Sequence, residues 1–478
     1  MELKNKRVLV VGLGKSGKAA ALFLRERGAQ VTVSDSRSAQ ALGEQIPALL
    51  DAGIAVESGG HGGMTFRKQD LIVVSPGVPY DMKELQQARA LGLPIIGELE
   101  LASRYLQGKI VAISGSNGKT TTTTLLGKIF ADAGLPTLVG GNIGTPVIDL
   151  IAESVRLSGR SEEEADSSAT LRNDNPNVLV DKATVWSVLE VSSFQLETVQ
   201  EFAPRIAVVL NITPDHLDRH GSFENYAAMK ARITARQDTE DFLVLNAEDK
   251  PTQMVAAKTK AQIYWFSGRR AVKQGAFVHG ESVAFIAREG ARPEPILPVA
   301  EIPIKGAHNV ENVLAAVCAA RLAGISAESI RASVASFKAV AHRLEFVAKV
   351  RGVDYYNDSK ATNVDATKKA LEAFAGGVHL ILGGKDKNSD YTELAELIRA
   401  RVKSVYTIGA AAEKIERHLA GVVKIVSAGT LDKAVKAAAQ AALAGDVVVL
   451  APACSSFDQF TGYEQRGRVF VELVKALG

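Results

Sequence analysis

Residues 110–121 read Ile-Val-Ala-Ile-Ser-Gly-Ser-Asn-Gly-Lys-Thr-Thr, an apolar run, then a glycine loop, with a helical pattern after it. Such a loop turns backbone N–H groups toward phosphate oxygens, and the helix that follows adds its positive end. Gly115, Ser116, Asn117 and Gly118 would form the cradle, Lys119 could reach the terminal phosphates, and Thr120 could ligate a divalent cation with Thr121 beside it. The strict eight-residue form of this loop would place a glycine at 113, where Ile113 stands, so a shortened form beginning at Gly115 is expected. A second loop, Gly12-Leu-Gly14-Lys15-Ser16-Gly17, follows the run Val8–Val11 and precedes a helical stretch, Lys18–Arg27. Asp35 ends the next strand, Val31–Ser34, at the spacing from which an acidic side chain accepts from a ribose hydroxyl. Ser75-Pro76-Gly77, after Leu71–Val74, could close the same site. Alone, the first loop fits a nicotinamide-dependent oxidoreductase or a bare tight turn. Alone, the Lys119 loop fits a nucleotide switch. Together they suggest two nucleotides with different jobs, one hydrolysed and one serving as a handle on the substrate.

The elements that must carry these loops repeat as strand, glycine-bearing loop and helix, which predicts parallel sheets with crossover helices, an α/β chain. The rhythm restarts at Ile110–Ser114 and again in the C-terminal part, where Val378–Leu382, Ser404–Ile408, Val422–Val426 and Val447–Leu450 read as strands. Three α/β units are expected, 1–97, 98–339 and 340–478, in a chain of 478 residues. The stretch Ser154–Lys182 has no hydrophobic period and reads as a mobile surface insertion. Lys+Arg 56 against Asp+Glu 53 gives a net charge of +3, which offers no basic footprint for nucleic acid. Two distant cysteines, Cys318 and Cys454, point to reduced thiols in the cytoplasm rather than a disulfide framework. No signal-peptide pattern and no membrane-length apolar run is expected.

Gly-Ser-Asn-Gly-Lys-Thr-Thr followed by Gly141-Asn142-Ile143-Gly144 resembles the Mur ligase family of ATP-dependent peptidoglycan enzymes. Further signatures are Glu190-Val-Ser-Ser-Phe-Gln195, Asn211-Ile-Thr-Pro-Asp215-His216-Leu-Asp218-Arg219 and Asn357-Asp358-Ser359-Lys360-Ala-Thr362-Asn363. The last of these, with Pro452-Ala-Cys-Ser-Ser456-Phe-Asp458 and Glu464-Gln-Arg466-Gly467, is similar to the branch that adds D-glutamate. The resemblance implies a three-domain architecture: a Rossmann-like domain for the UDP substrate, a P-loop ATPase-like central domain, and a Rossmann-like C-terminal domain that binds D-glutamate and closes on ATP. It implies UDP-substrate contacts at Gly14, Lys15, Ser16, Asp35, Ser36, Arg37, Ser75, Pro76, Gly77, Asn142 and His216. For ATP it implies the loop 115–121 with Asn309, Asn312, Arg343 and Asp358, where Asn309 could also cap the helix it opens. Two Mg²⁺ sites are implied, one on Thr120 and Glu190, the other on His216 and Lys230. Lys230 would sit in a helix over Phe223–Arg236 and would have to be carbamylated, since a bare ammonium repels a metal. D-Glutamate is implied at Thr362, Lys387, Ser456 and Tyr463, with Lys385 a close competitor of Lys387.

The implied reaction passes the γ-phosphoryl group of ATP to the alanyl carboxylate of UDP-N-acetylmuramoyl-L-alanine, and the D-glutamate amine then displaces phosphate. Lys119, His216, Lys230 and Lys360 would carry the chemistry, with Lys360 beside the reacting phosphate. The amine needs a base, for which His216 is one candidate. The expected partners are these small molecules, with no nucleic acid and no membrane, for a cytoplasmic monomer. Another Mur-type amino-acid ligase is the alternative. A folylpolyglutamate synthase would lack the UDP-type first domain.

Overall fold

The structure is a computed structural model, and it describes residues 1–159, 183–257, 259–338, 340–386 and 388–478. The body of the expected insertion, 160–182, and Lys387 therefore lie outside the described residues. The chain folds as two compact units, Met1–Val299 with Val313–Ser333, and Ala300–Asn312 with Val334–Gly478. Among the described residues no helix is long and apolar enough to cross a membrane.

The first unit holds two sheets. In the first sheet all strands are parallel, in the order Ala55–Ser58, Gln30–Asp35, Arg7–Val11, Leu71–Val74, Ile95–Gly97. Its central run, Val8 to Val11, is fully buried, as apolar, valine-rich runs are when helices cover both faces. Strand order reverses between Arg7–Val11 and Leu71–Val74, so the Gly12 loop and Ser75 meet at the switch point where ligands enter such sheets. The second sheet runs Glu294–Pro298, Ser282–Ile286, Gly275–His279, Gln262–Ser267, Phe242–Asn246, Ile206–Val209, Lys109–Ser114, Trp186–Glu190, Thr137–Gly141. It is parallel except across the hairpins at Gly275–His279, Ser282–Ile286 and Glu294–Pro298. Lys109–Ser114 lies between Ile206–Val209 and Trp186–Glu190, so the residues that follow or end these three strands share one sheet edge.

The second unit carries a sheet in the order Glu345–Val350, Val353–Asn357, Val447–Leu450, Val378–Gly383, Val402–Ile408, Lys424–Gly429, with only the first pair antiparallel. Its strand ends again set Asp358, Gly384 and Pro452 on one side, because parallel strands all point the same way.

Three expectations are corrected. Ser154 does not begin a loop: helix Ile151–Ser158 contains it, buried, with its hydroxyl donating to Ile151 O at 2.6 Å and accepting from Gln107 N at 3.2 Å. The strand expected at Val422–Val426 is Lys424–Gly429, because Gly421 (φ 73°) and the bond Val422 N to Leu419 O make a turn of the first valines. The helix expected over Phe223–Arg236 ends at Ala231 and tightens into a 3₁₀ turn, Arg232–Thr234.

Candidate active site

At the first sheet's edge, Asp35 Oδ2 accepts from Leu13 N at 2.6 Å, and both its oxygens meet the Arg37 guanidinium at 2.9 Å. The arginine holds the Asp35 carboxyl down at about 2. Arg37 Nη2 also donates to Leu13 O at 2.8 Å, so the acid and the base clamp the glycine loop from below. Gly17 is required by space, since a Cβ there would lie 1.9 Å from Gly12 O. Ser75 Oγ donates to that same carbonyl at 2.6 Å, tying the two loops together. Gly14, Lys15, Ser36 and Gly77 border them and stay largely exposed, while Ser16 and Pro76 are half-buried. The helix Lys15–Glu26 starts inside the loop, earlier than the sequence pattern suggested, so its N–H groups face the switch point.

At the second sheet's edge, Gly118 caps helix Lys119–Asp132 in the left-handed conformation (φ 86°), which a residue with a Cβ adopts only at a cost. Ser116 Oγ donates to Thr213 O at 2.9 Å, and Asn117 exchanges bonds with the Asn211 side chain at 2.9 and 3.1 Å. These fix the loop to the chain leaving Ile206–Val209. Thr120 Oγ1 donates to Glu190 Oε2 at 2.7 Å, and Asn142 Nδ2 donates to Glu190 Oε1 at 3.0 Å. A hydroxyl and a buried carboxylate are the hard oxygen donors that suit Mg²⁺. Among the described residues no three His, Cys, Asp or Glu side chains converge on one point, so a cation here would take its other ligands from water and phosphate, as Mg²⁺ commonly does.

Lys230 is 1% exposed. Its Nζ donates to Gly115 O at 2.9 Å, and Lys119 Nζ donates to the same oxygen at 2.7 Å. Burial, reinforced by the neighbouring Lys119 charge, pushes the Lys230 ammonium well below its ordinary range, against the opposing pull of Asp215 and Glu190. Two lysines focused on one loop carbonyl, with a carboxylate close by, make a deep cationic corner. His216 is exposed, with Nε2 3.6 Å from Asp215 Oδ2 and its ring 4.9 Å from Phe194.

The second unit presents its own group. Burial pushes Asp358 up to about 7, partly offset by Arg343 and by the Leu344 N–H, which donates at 3.2 Å. Asn309 is the third residue of helix Ala307–Leu322, past the cap position. Its Nδ2 donates to Lys305 O at 2.7 Å and its Oδ1 accepts from Asn312 at 3.1 Å, so it does not cap the helix as the sequence allowed. Lys360 Nζ lies 4.9 Å from the Tyr463 ring centroid. Thr362 N donates to Lys360 O at 2.8 Å, and buried Ser456 receives the N–H of Phe460 at 2.9 Å through its own carbonyl. Lys385 N donates to Ser455 O at 2.8 Å, which joins the Gly-Gly-Lys loop to the Ser455-Ser456 loop.

Arg466 organises these loops and was given no role from sequence. It is fully buried, donating to Ser359 Oγ at 3.0 Å, Ser359 O at 2.8 Å and Cys454 O at 3.1 Å. The signal was present: Arg466, Gly467, Phe470 and Val474 fall on the buried face of helix Tyr463–Lys475, so a charge stands at a core position. Cys454 likewise has an unforeseen partner, Tyr391 OH at 2.9 Å.

The chain matches the Mur ligase MurD-like N-terminal domain over residues 6–97, the Mur ligase middle domain over 113–320 and the Mur ligase glutamate ligase domain over 342–454. It belongs to the Mur ligase family. A relative named UDP-N-acetylmuramoylalanine--D-glutamate ligase from Acidobacterium capsulatum is 64% identical over 476 residues, covering 100% of this chain and 97% of the relative. One of the same name from Koribacter versatilis is 57% identical over 477 residues, covering 100% and 99%. The fold is shared with the UDP-N-acetylmuramate-alanine ligase MurC of Thermotoga maritima (TM-score 0.58, 17% identity, 99% of this chain and 100% of that one). It is also shared with the MurF ligase of Thermotoga maritima in complex with ADP (TM-score 0.58, 16% identity, 100% and 97%).

Proposed function

We propose that this chain is the ATP-dependent ligase that joins D-glutamate to UDP-N-acetylmuramoyl-L-alanine, releasing ADP and phosphate, in cytoplasmic peptidoglycan precursor synthesis. The observation that carries the reading is the pairing, in one unit, of a glycine loop braced by Asp35 and Arg37 with a second loop whose carbonyl draws two lysines. The first would hold the uridine diphosphate through Gly14, Lys15, Ser16, Asp35, Ser36, Arg37 and the Ser75-Pro76-Gly77 turn. Asn142 and His216 would meet the sugar-bearing end.

The N–H groups of 115–121 and the Lys119 ammonium would receive the ATP phosphates, with Lys119 exchanging its loop carbonyls for phosphoryl oxygens as negative charge builds there. Mg²⁺ bound by Thr120 and Glu190 would neutralise that charge, and a second site would use His216 and Lys230. Lys230 fits a metal only after losing its positive charge. A buried amine held well below its ordinary range spends more time neutral, and a neutral amine is the form that adds CO₂ to give a carbamate. Asn309, Asn312, Arg343 and Asp358 would hold the adenosine and phosphates, and Lys360 would stand beside the transferred group. Thr362, Ser456, Tyr463 and a lysine of the Gly-Gly-Lys loop would take the D-glutamate carboxylates, where a cation suits an anion. The alanyl carboxylate oxygen attacks the γ-phosphorus and ADP leaves. The D-glutamate nitrogen then attacks the acyl carbon, loses its proton to a base, and phosphate departs.

The test is phosphate release from ATP with UDP-N-acetylmuramoyl-L-alanine and one amino acid at a time. Release should depend on D-glutamate. Turnover with L-lysine or diaminopimelate and none with D-glutamate would contradict the reading.

A further inference from the structure

Arg219 lies in the short helix Leu217–His220, three residues past His216. Its Nη2 donates to Glu197 Oε2 at 2.6 Å and to the backbone oxygen of Val78 at 2.9 Å. Its guanidinium lies 4.6 Å from the centroid of Phe194, whose ring in turn meets His216 at 4.9 Å and His220 at 5.5 Å. Val78 closes the turn that begins at Ser75, with Val78 N donating to Ser75 O at 3.0 Å, and Ser75 holds Gly12 O. One side chain thus grips a turn of the first sheet, the chain that follows Glu190, and the aromatic ring under His216. A planar guanidinium can donate along two directions while its face rests on a ring, which a lysine cannot do.

We propose that Arg219 is a positioning residue that sets the Ser75–Val78 turn in register with His216, so that a substrate gripped by its uridine end delivers its carboxylate to the phosphoryl-transfer site. The inference rests on the function proposed above. It predicts a specific split. Arg219→Ala leaves the uridine site intact and lets the far end of the substrate wander, and misplacement by an ångström costs about 100-fold in rate.

The experiment measures kcat and KM for each substrate, calorimetric affinity for UDP alone, and the melting temperature of the full chain. Wild-type turnover with D-glutamate is recorded first, and its absence would count against the proposed function, whereas the Arg219 arms compare variants with an active wild type. In R219A, kcat should fall about 100-fold, with UDP affinity and KM for ATP unchanged, in a chain that still folds but melts lower because Glu197 loses its buried partner. R219K should be intermediate, and millimolar guanidinium should restore part of the R219A rate. If R219A does not fold, Glu197→Gln carries the test: weakening one charged hydrogen bond to the guanidinium should lower kcat about tenfold without changing UDP affinity. An unchanged kcat in a folded variant, or UDP affinity falling in step with kcat, would overturn the proposal.

Discussion

Lys119 and Lys230 share the Gly115 carbonyl, yet their predicted roles separate cleanly. Lys119 is proposed to face charge that grows only as the phosphoryl group moves, so Lys119→Ala should lower turnover by about 10³-fold. Asp35 with Arg37, proposed to clamp the uridine end, belongs to a different sheet, so calorimetry should find the affinity for UDP-N-acetylmuramoyl-L-alanine unchanged. Loss of both together would mean that the two nucleotide sites are misassigned. Lys230 makes its own prediction. In ¹³C-bicarbonate the wild type should show a carbamate carbon resonance that Lys230→Arg lacks, because the guanidinium stays protonated. A spectrum identical for both proteins would remove the carbamate from the mechanism.

At the scale of elements, the helix Glu98–Ser103 is held by two buried carboxylates. Glu100 receives the N–H groups of Gln200, Glu201 and Phe202 at 2.8 to 3.1 Å together with Arg104. Among the described residues the donors to Glu98 are backbone N–H groups, Ile148 at 2.8 Å with Val147 beside it, and burial pushes the carboxyl up from 4.5 to about 7. Between those values the folded chain keeps a proton that the unfolded chain has released, so stability falls as pH rises through that window. Glu98→Gln keeps an acceptor for Ile148 and carries no charge. Its melting temperature should therefore exceed the wild type's by a margin that grows from pH 5 to pH 7, and a constant margin would contradict this. In the second unit, Arg466→Met should lower stability by about 2–4 kcal/mol by stranding the Ser359 and Cys454 carbonyls. It should also raise KM for D-glutamate, and UDP affinity measured beside these serves as the control.

Over the whole molecule, the sheets were legible because parallel strands covered on both faces are continuous, valine-rich apolar runs, as at Val8–Val11 and Val448–Leu450. The two glycine loops were legible because each stands between an apolar run and a helical pattern, and the structure places a helix start at Lys15 and at Lys119. Long-range polar partners were not: nothing local links Arg466 to Cys454 or Arg219 to Val78, since such bonds exist only once distant loops are packed together. Nor did composition reveal that Ser154 turns inward, because a serine looks polar until its hydroxyl finds buried partners. The family implied candidate residues for the chemistry, and the fold shows which side chains brace the loops that carry them.

In the proposed reaction ATP activates the alanyl carboxylate as an acyl phosphate before the amine attacks. UDP-N-acetylmuramoyl-L-alanine labelled with ¹⁸O in that carboxylate, turned over with ATP and D-glutamate, tests it directly through the isotope shift of the released phosphate in ³¹P NMR. Each phosphate should carry one ¹⁸O atom from the carboxylate. Unlabelled phosphate alongside full amide formation would contradict the account.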